Sequence, residues 1–296
     1  MTKILDQNMA VKKADIDGIK FYSPDAEEFS LEGFAWRKAG MPFDRFAGYN
    51  TAGFRDALIN LAKYPAEVNL RFISNSKRIV IRAAFRQVHK IARMALTGSM
   101  GFDVYVRDQG EMVFRGVTSF DFDAMDYCVD LFSDSKQKMR QFLINFPLYG
   151  DIESLEIGLE NEAEIKKAHA WKDSRPLICY GTSILHGACA NRPGMAYPAI
   201  LSRTLDRPVM NFGFAGNARG DAYMAEMLAS IKAPCCYILD YDPNSSWENT
   251  RTTAENFIGI LRKKHSEVPI VFVSNIFQFD RHYTEVFNSE SKIFLF

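Results

Sequence analysis

Apolar residues recur at every second position over much of residues 67–160. In residues 78–86 one face carries Ile79, Ile81, Ala83 and Phe85, while the other carries Arg78, Arg82 and Arg86. That alternation predicts an antiparallel strand with one buried face and one wet face. Phe102, Val104 and Val106 alternate with Asp103, Tyr105 and Arg107 in the same way. Further strand-like runs span residues 111–118, 123–132, 138–147 and 154–160. Turn clusters such as Ser74-Asn75-Ser76-Lys77 and Asp108-Gln109-Gly110 separate them. Several short strands with regular turns predict a β-sandwich. The first 60 residues carry a weaker pattern, with a short helix expected over 52–62.

After the charged stretch 160–167 the pattern changes. Short apolar runs at 176–180, 209–214, 235–241 and 269–273 read as strands. Between them, the stretch leading through Pro198 to Leu201, then 222–231 and 252–264, read as helices, the last with Phe257, Ile260 and Leu261 on one side. Strands alternating with helices predict βαβ units and a parallel sheet. In such sheets ligands bind beyond the carboxyl ends of the strands, so those ends are where chemistry is sought.

The first of these ends is Gly181-Thr182-Ser183. A Ser opening a helix is most often a cap, and Leu185 rules out the G-x-S-x-G elbow. The second end, through Gly213 and Gly216, offers a backbone N–H unshielded by a side chain. The third, Asp242-Pro243-Asn244, offers a carboxamide donor where a turn residue is the usual reading. Each feature is weak alone. Together they bring a hydroxyl and two oxyanion donors to three successive strand ends, as acyl transfer requires.

These residues resemble the SGNH (GDSL-type) hydrolases, with Ser183, Gly216 and Asn244 matching the Ser, Gly and Asn blocks. Tyr180-Gly181-Thr182-Ser183, Arg192-Pro193-Gly194-Met195, Tyr197-Pro198 and Ser154-Leu155-Glu156-Ile157-Gly158-Leu159 are similar to the branch with a β-sandwich ahead of the hydrolase domain. The resemblance implies a jelly-roll-like sandwich over residues 1–170. A flavodoxin-like three-layer α/β/α domain over 171–296 would follow it. It also implies hydrolysis of esters, often acetyl esters on carbohydrates, without a metal or other cofactor. Thr182 stands where the family usually has Asp.

The family's base is a His in an Asp-x-x-His block, and none occurs after Asn244. Asp280-Arg281-His282 has one intervening residue instead of two, and the chain ends in the apolar tail 293–296. The expectation is therefore a truncated or frame-altered member, incomplete at its C-terminus and weak or inactive, because a serine hydroxyl needs a base. Loss of triad members in serine hydrolases leaves roughly 10³–10⁴-fold catalysis over water. His186, three residues after Ser183, reads as a polar flank of the pocket. His265 at a basic helix end reads as structural, and His89 and His169 fall outside the α/β half.

Other residues change this picture little. Arg192 and Arg219 are candidate contacts to a polar or anionic substrate group, with surface ion pairing as the ordinary alternative. Asp221 reads as an N-cap, and Tyr241 and Trp247 as packing residues that could also stack on a sugar. The 36 basic and 36 acidic residues cancel, against a phosphate-backbone binder. No apolar run approaches the roughly 18 residues of a membrane helix, and residues 1–8 show no secretory signal. Five cysteines without a C-x-x-C pair argue against a disulfide framework and a zinc site. The expected partner is a small-molecule or glycan ester. The alternative to a serine esterase is a carbohydrate-binding protein that keeps the hydrolase fold without catalysis. A transacylase is a third possibility, and neither compartment nor oligomeric state follows from the residues.

Overall fold

The computed structural model describes residues 11–245 and 247–273, without the Trp247 side chain. The Asp280-Arg281-His282 stretch and the tail 293–296 lie outside the described residues.

The first half is built from ten strands: β1 (Ile19–Tyr22), β2 (Ser30–Glu32), β3 (Asn69–Ser74), β4 (Arg78–Val88), β5 (Asp103–Asp108), β6 (Glu111–Val117), β7 (Asp126–Ser133), β8 (Arg140–Asn145), β9 (Gly150–Glu160) and β10 (Ile165–Lys167). Two short helices interrupt them, α1 (Asp56–Ala62) and α2 (Leu96–Ser99). One antiparallel sheet has the order β1-β9-β4-β7; the other runs β10-β3-β8-β5-β6, with β2 on β3. Their inner faces share one core that includes Ile81, Val129 and Ile157 from one sheet and Phe72, Val104 and Phe142 from the other. The period-two face of β4 points into it. On the outer face Arg82 pairs with Glu156 directly across on β9, at 2.9 Å.

The second half holds β11 (Leu177–Gly181), β12 (Val209–Gly213), β13 (Cys236–Asp240) and β14 (Ile270–Phe272), all parallel, in the order β12-β11-β13-β14. It also holds helices α3 (Ser183–His186), α4 (Tyr197–Leu205), α5 (Ala222–Ala229) and α6 (Trp247–Lys264). Both faces of the sheet are buried, which explains the continuous apolar runs. Ile178 and Tyr180 face α5 and α6, packing with Met224, Leu228, Phe257 and Leu261. Leu177 and Cys179 face the other way, toward Leu185, Tyr197 and Leu201. The register aligns Gly181 of β11 with Gly213 of β12 and Asp240 of β13, so three carboxyl ends terminate level with one another. No helix among the described residues is long and apolar enough to cross a membrane.

Two features depart from the sequence reading. The helical stretch after β11 is broken into the single turn α3, a 3-10 turn at Pro193–Met195 and α4. Gly187 at φ +105° ends α3 in the left-handed region, and its Cβ would lie 2.8 Å from Leu148. Residues 35–62 also pack on the parallel sheet, although they precede the sandwich strands in sequence. Phe46, Leu58 and Ala62 join its core, and Phe46 meets Phe214 at 5.4 Å.

Candidate active site

The site starts from the end of β11. Gly181 is required there, since a Cβ would lie 2.2 Å from the Asp240 carbonyl oxygen. Thr182 follows in extended conformation, and its hydroxyl accepts from the Ile184 N–H at 3.3 Å. Thr182 is therefore the cap of α3, and Ser183 is the first helical residue. The capping role that competes for a Ser at this point is taken by its neighbour. The Ser183 hydroxyl has no hydrogen-bond partner among the described residues, and Ser183 lines a cavity of about 510 Å³.

The neighbouring strand ends are tied to this corner. The Thr182 N–H donates to the Asp240 carbonyl at 2.8 Å, and the Phe214 N–H donates to the Gly181 carbonyl at 2.8 Å. Gly216 lies two residues beyond Phe214, exposed, at φ +67° and with open space where a Cβ would stand. Its flanking residues Ala215 and Asn217 line the same cavity as Ser183, whereas Gly216 and Asn244 themselves are not among the residues that line it. Asn244 follows β13 and donates one amide hydrogen to the Phe214 carbonyl at 3.2 Å. A carboxamide has two such hydrogens, so one is left for another acceptor. Asp240 sits beneath, its carboxyl pushed up to about 6 by burial and accepting from the Tyr197 hydroxyl at 3.1 Å.

Two arginines hold the loop that carries Gly216. Arg45, fully buried, donates to the Asn211 and Gly213 carbonyls at 2.9 and 2.8 Å and to Leu61 at 2.7 Å. Arg55 donates to the Asn217 carbonyl at 2.6 Å and to Asp221 at 2.8 Å. Asp221 occupies the N-cap position of α5, as expected, but its carboxylate is spent on Arg55 and makes no capping bond.

Two family models match the chain: the GDSL-like lipase/acylhydrolase family over residues 174–293, and the N-terminus of SGNH-hydrolase-type esterases, labelled GxDLY, over residues 19–165. The chain belongs to the SGNH (GDSL-type) hydrolase family. In kind this SGNH hydrolase is an esterase or acylhydrolase. Among solved structures it is similar to a protein from Bacteroides ovatus described as a GDSL-like lipase, at 29% identity and TM-score 0.82, over 92% of this chain and 79% of that one. It also shares its fold with the salicylyl-acyltransferase SsfX3 of a tetracycline biosynthetic pathway, at 16% identity and TM-score 0.65, over 86% and 72% of the two chains. A family two carbohydrate esterase from Cellvibrio japonicus aligns at 14% identity and TM-score 0.55, over 89% and 81%. No curated protein matches the sequence.

Several expected site residues of this SGNH hydrolase lie elsewhere. Arg192 does not line the cavity. It stacks on Phe114 at 4.0 Å, with its Nε 3.5 Å from the buried Asp103 carboxylate, so the ion-pair alternative describes it. Arg219 is exposed and also outside the cavity wall; its backbone accepts from Asn249 at 3.0 Å. Tyr241 is wholly buried against Tyr180 and Phe257, a packing residue. His186 is buried, with Nε2 2.9 Å from the Leu148 carbonyl and its ring stacked on Tyr149 at 4.2 Å. Burial, with Arg45 nearby, holds its pKa well below the ordinary imidazole range, so it is a neutral core residue and not a flank of the pocket. His265 is structural as expected, with Nε2 3.0 Å from the Ala229 carbonyl.

The opposite wall of the cavity comes from the first half of the chain: Ala57, Asn60 and Leu61 of α1, with His89, Ile91 and Tyr149 from the sandwich. Among the described histidines His89 alone lines the cavity, so a histidine set aside as falling outside the α/β half reaches the site. No local pattern marks these residues. They follow ordinary strand ends and a helix face whose partner lies more than a hundred residues away.

Proposed function

We propose that the chain is a serine esterase that removes short acyl groups, acetyl foremost, through an acyl-enzyme on Ser183. The observation that carries this reading is Ser183, free of the capping role that Thr182 takes and lining a cavity next to the point where three strand ends terminate in register. In the proposed reaction the Ser183 oxygen attacks the ester carbonyl carbon, and its proton passes to a base. The tetrahedral oxyanion takes hydrogen bonds from the Ser183 and Gly216 N–H groups and from the second Asn244 amide hydrogen. The carbon–oxygen bond to the alcohol then breaks, and the alkoxide leaves with the proton. Water, deprotonated in turn, attacks the acyl-enzyme and releases the acid.

The walls suggest how the ester lies. Leu61, Ile91 and Ala188 offer an apolar surface for the acyl group, while Asn60, His89 and Asn217 offer polar contacts to a hydroxylated alcohol such as a sugar. His89 is the imidazole within that cavity, and His186 and His265 are engaged by backbone carbonyls.

A fluorophosphonate probe tests the reading, followed by peptide mapping and hydrolysis of p-nitrophenyl acetate against longer acyl esters. The expected result is labelling at Ser183, absent in Ser183→Ala, with acetate turned over fastest. Absence of labelling alongside retained glycan binding would instead support the carbohydrate-binding alternative. Acyl transfer to an added alcohol in preference to water would make it a transacylase.

A further inference from the structure

The helix that begins with Ser183 is one turn long, and a single turn has no stability of its own because nucleation outweighs one or two hydrogen bonds. What holds it is spread along residues 186–194, the segment leading from α3 toward α4. The sandwich half meets that segment at nearly every step. The Leu148 carbonyl takes His186 Nε2 at 2.9 Å, and the Leu148 side chain fills the space beside Gly187. At Gly98 a Cβ would lie 2.1 Å from the Ala190 carbonyl oxygen, and the Thr97 hydroxyl donates to the Asn191 carbonyl at 2.6 Å.

The last fastening is the strongest. Asp103 is fully buried at the start of β5, and its Oδ2 accepts from the Gly194 N–H at 2.8 Å. Its Oδ1 accepts from the Asn145 amide at 2.8 Å, and Arg192 Nε lies 3.5 Å from Oδ2. Tyr105 forms the floor, since a Cβ on Gly194 would stand 2.5 Å from its ring. Arg203 of α4 closes the socket, donating to the Gly194 carbonyl at 2.7 Å with its guanidinium 4.0 Å above the Tyr105 ring. The residues that build the socket fall in Gly101-Phe102-Asp103-Val104-Tyr105, which fits the string GxDLY with Val in place of Leu. Gly101 is itself obligatory, because a Cβ there would lie 2.3 Å from the Thr97 carbonyl oxygen.

We propose that the sandwich is the scaffold that positions Ser183, with Asp103 as the positioning residue that locks the Arg192-Pro193-Gly194 turn. A charge-assisted bond in a dry site is stronger and more directional than a neutral one, so one carboxylate can fix a turn that glycine and proline shape but do not anchor. The sandwich face that meets residues 186–194 then serves as the mount for the nucleophile's turn and not as an appended recognition module. Serine placement depends on contacts made about 90 residues away in sequence, as the 91-residue separation of Asp103 and Gly194 shows.

The proposal rests on reading Ser183 as the nucleophile, so the test carries one readout that does not. The rate of fluorophosphonate labelling at Ser183 is measured in the full chain for wild type, Asp103→Ala, Asp103→Asn and Leu159→Ala. Leu159→Ala opens a cavity in the sandwich core remote from the socket and controls for general destabilisation. Hydrogen exchange of residues 183–196 is followed in the same proteins. Misplacement by about 1 Å can cost roughly 10²-fold in reactivity, so Asp103→Ala is expected to label at least about tenfold more slowly and to exchange faster over 183–196. Asp103→Asn should recover much of the rate, since its carbonyl can still accept from Gly194 and Asn145 can rotate to accept from its amide. Leu159→Ala should label at the wild-type rate. Equal labelling in Asp103→Ala and Leu159→Ala would overturn the proposal and leave the esterase reading intact. Absence of labelling in wild type would overturn the esterase reading, and exchange would then decide: loss of protection confined to 183–196 in Asp103→Ala upholds the scaffold role, and its absence ends it.

Discussion

Replacing Arg45 with Met removes the cation while keeping a long, flexible apolar side chain. Among the described residues β12 is the edge strand of the parallel sheet, and its outward carbonyls have no neighbouring strand there. Asn211 and Gly213 point that way, and Arg45 takes both, at 2.9 and 2.8 Å, while also holding the Leu61 carbonyl at 2.7 Å. One guanidinium thus stands in for a missing strand and binds α1 to the sheet. The Leu61 carbonyl also accepts from the Tyr64 N–H at 3.3 Å and stays paired, whereas a buried carbonyl left unpaired costs about 1–3 kcal/mol, so Asn211 and Gly213 together amount to roughly 2–6 kcal/mol gross. Against this stands the cost of burying the guanidinium itself, which lowers its pKa to about 10. The net loss expected for Arg45→Met is about 2–3 kcal/mol, a sizeable fraction of the ~5–15 kcal/mol stability of a typical domain. Urea unfolding followed by near-ultraviolet circular dichroism measures it, with Ser183 labelling as the functional readout. Arg45→Lys should fall between the two, because an ammonium lacks the planar fork that reaches three acceptors. An unfolding midpoint for Arg45→Met equal to wild type, with labelling unchanged, would refute the reasoning.

Two further outcomes are expected. Glu67 is buried with neither carboxylate oxygen hydrogen-bonded among the described residues, and burial pushes its pKa from 4.5 up to about 8. The folded chain then holds a proton that the unfolded chain releases, so stability falls as pH rises from about 4.5 to 8, by at most about 5 kcal/mol. Glu67→Gln should flatten Tm against pH across that window, and an unchanged slope would contradict it. Asn244→Ala should lower kcat for p-nitrophenyl acetate by about 10²–10³-fold, as loss of one oxyanion donor does. The lost bond to Phe214 should cost only about 1 kcal/mol in unfolding experiments, and a kcat loss below tenfold would remove Asn244 from the oxyanion site.

Much of the architecture was legible from local pattern. Alternation in residues 78–85, broken at the buried Val80, marks β4 and its core-facing side, and the apolar runs with intervening helices mark the parallel sheet, because side-chain period reports directly which faces meet water. The three- and four-residue strands β1, β2 and β10 escaped notice, since so few residues cannot display a period. The break after Ser183 was also missed, although Gly187, Pro193 and Gly194 marked it. The wall of the cavity was illegible for another reason. His89, Tyr149 and Asn60 carry no motif, and their approach to Ser183 depends on how one half of the chain seats against the other.

What the residues determined by themselves was the set of groups available and the local shapes they favour: a serine after a glycine-ended strand, a bare amide, a carboxamide, and two kinds of sheet. Only the folded chain decided how those groups are used. It made Thr182 the cap and so freed Ser183. It turned Arg192 away to Asp103 and closed the cavity with side chains from the sandwich. Local preference acts over a few neighbouring residues. The contacts that aim a nucleophile join positions far apart along the chain, and no short-range pattern encodes them.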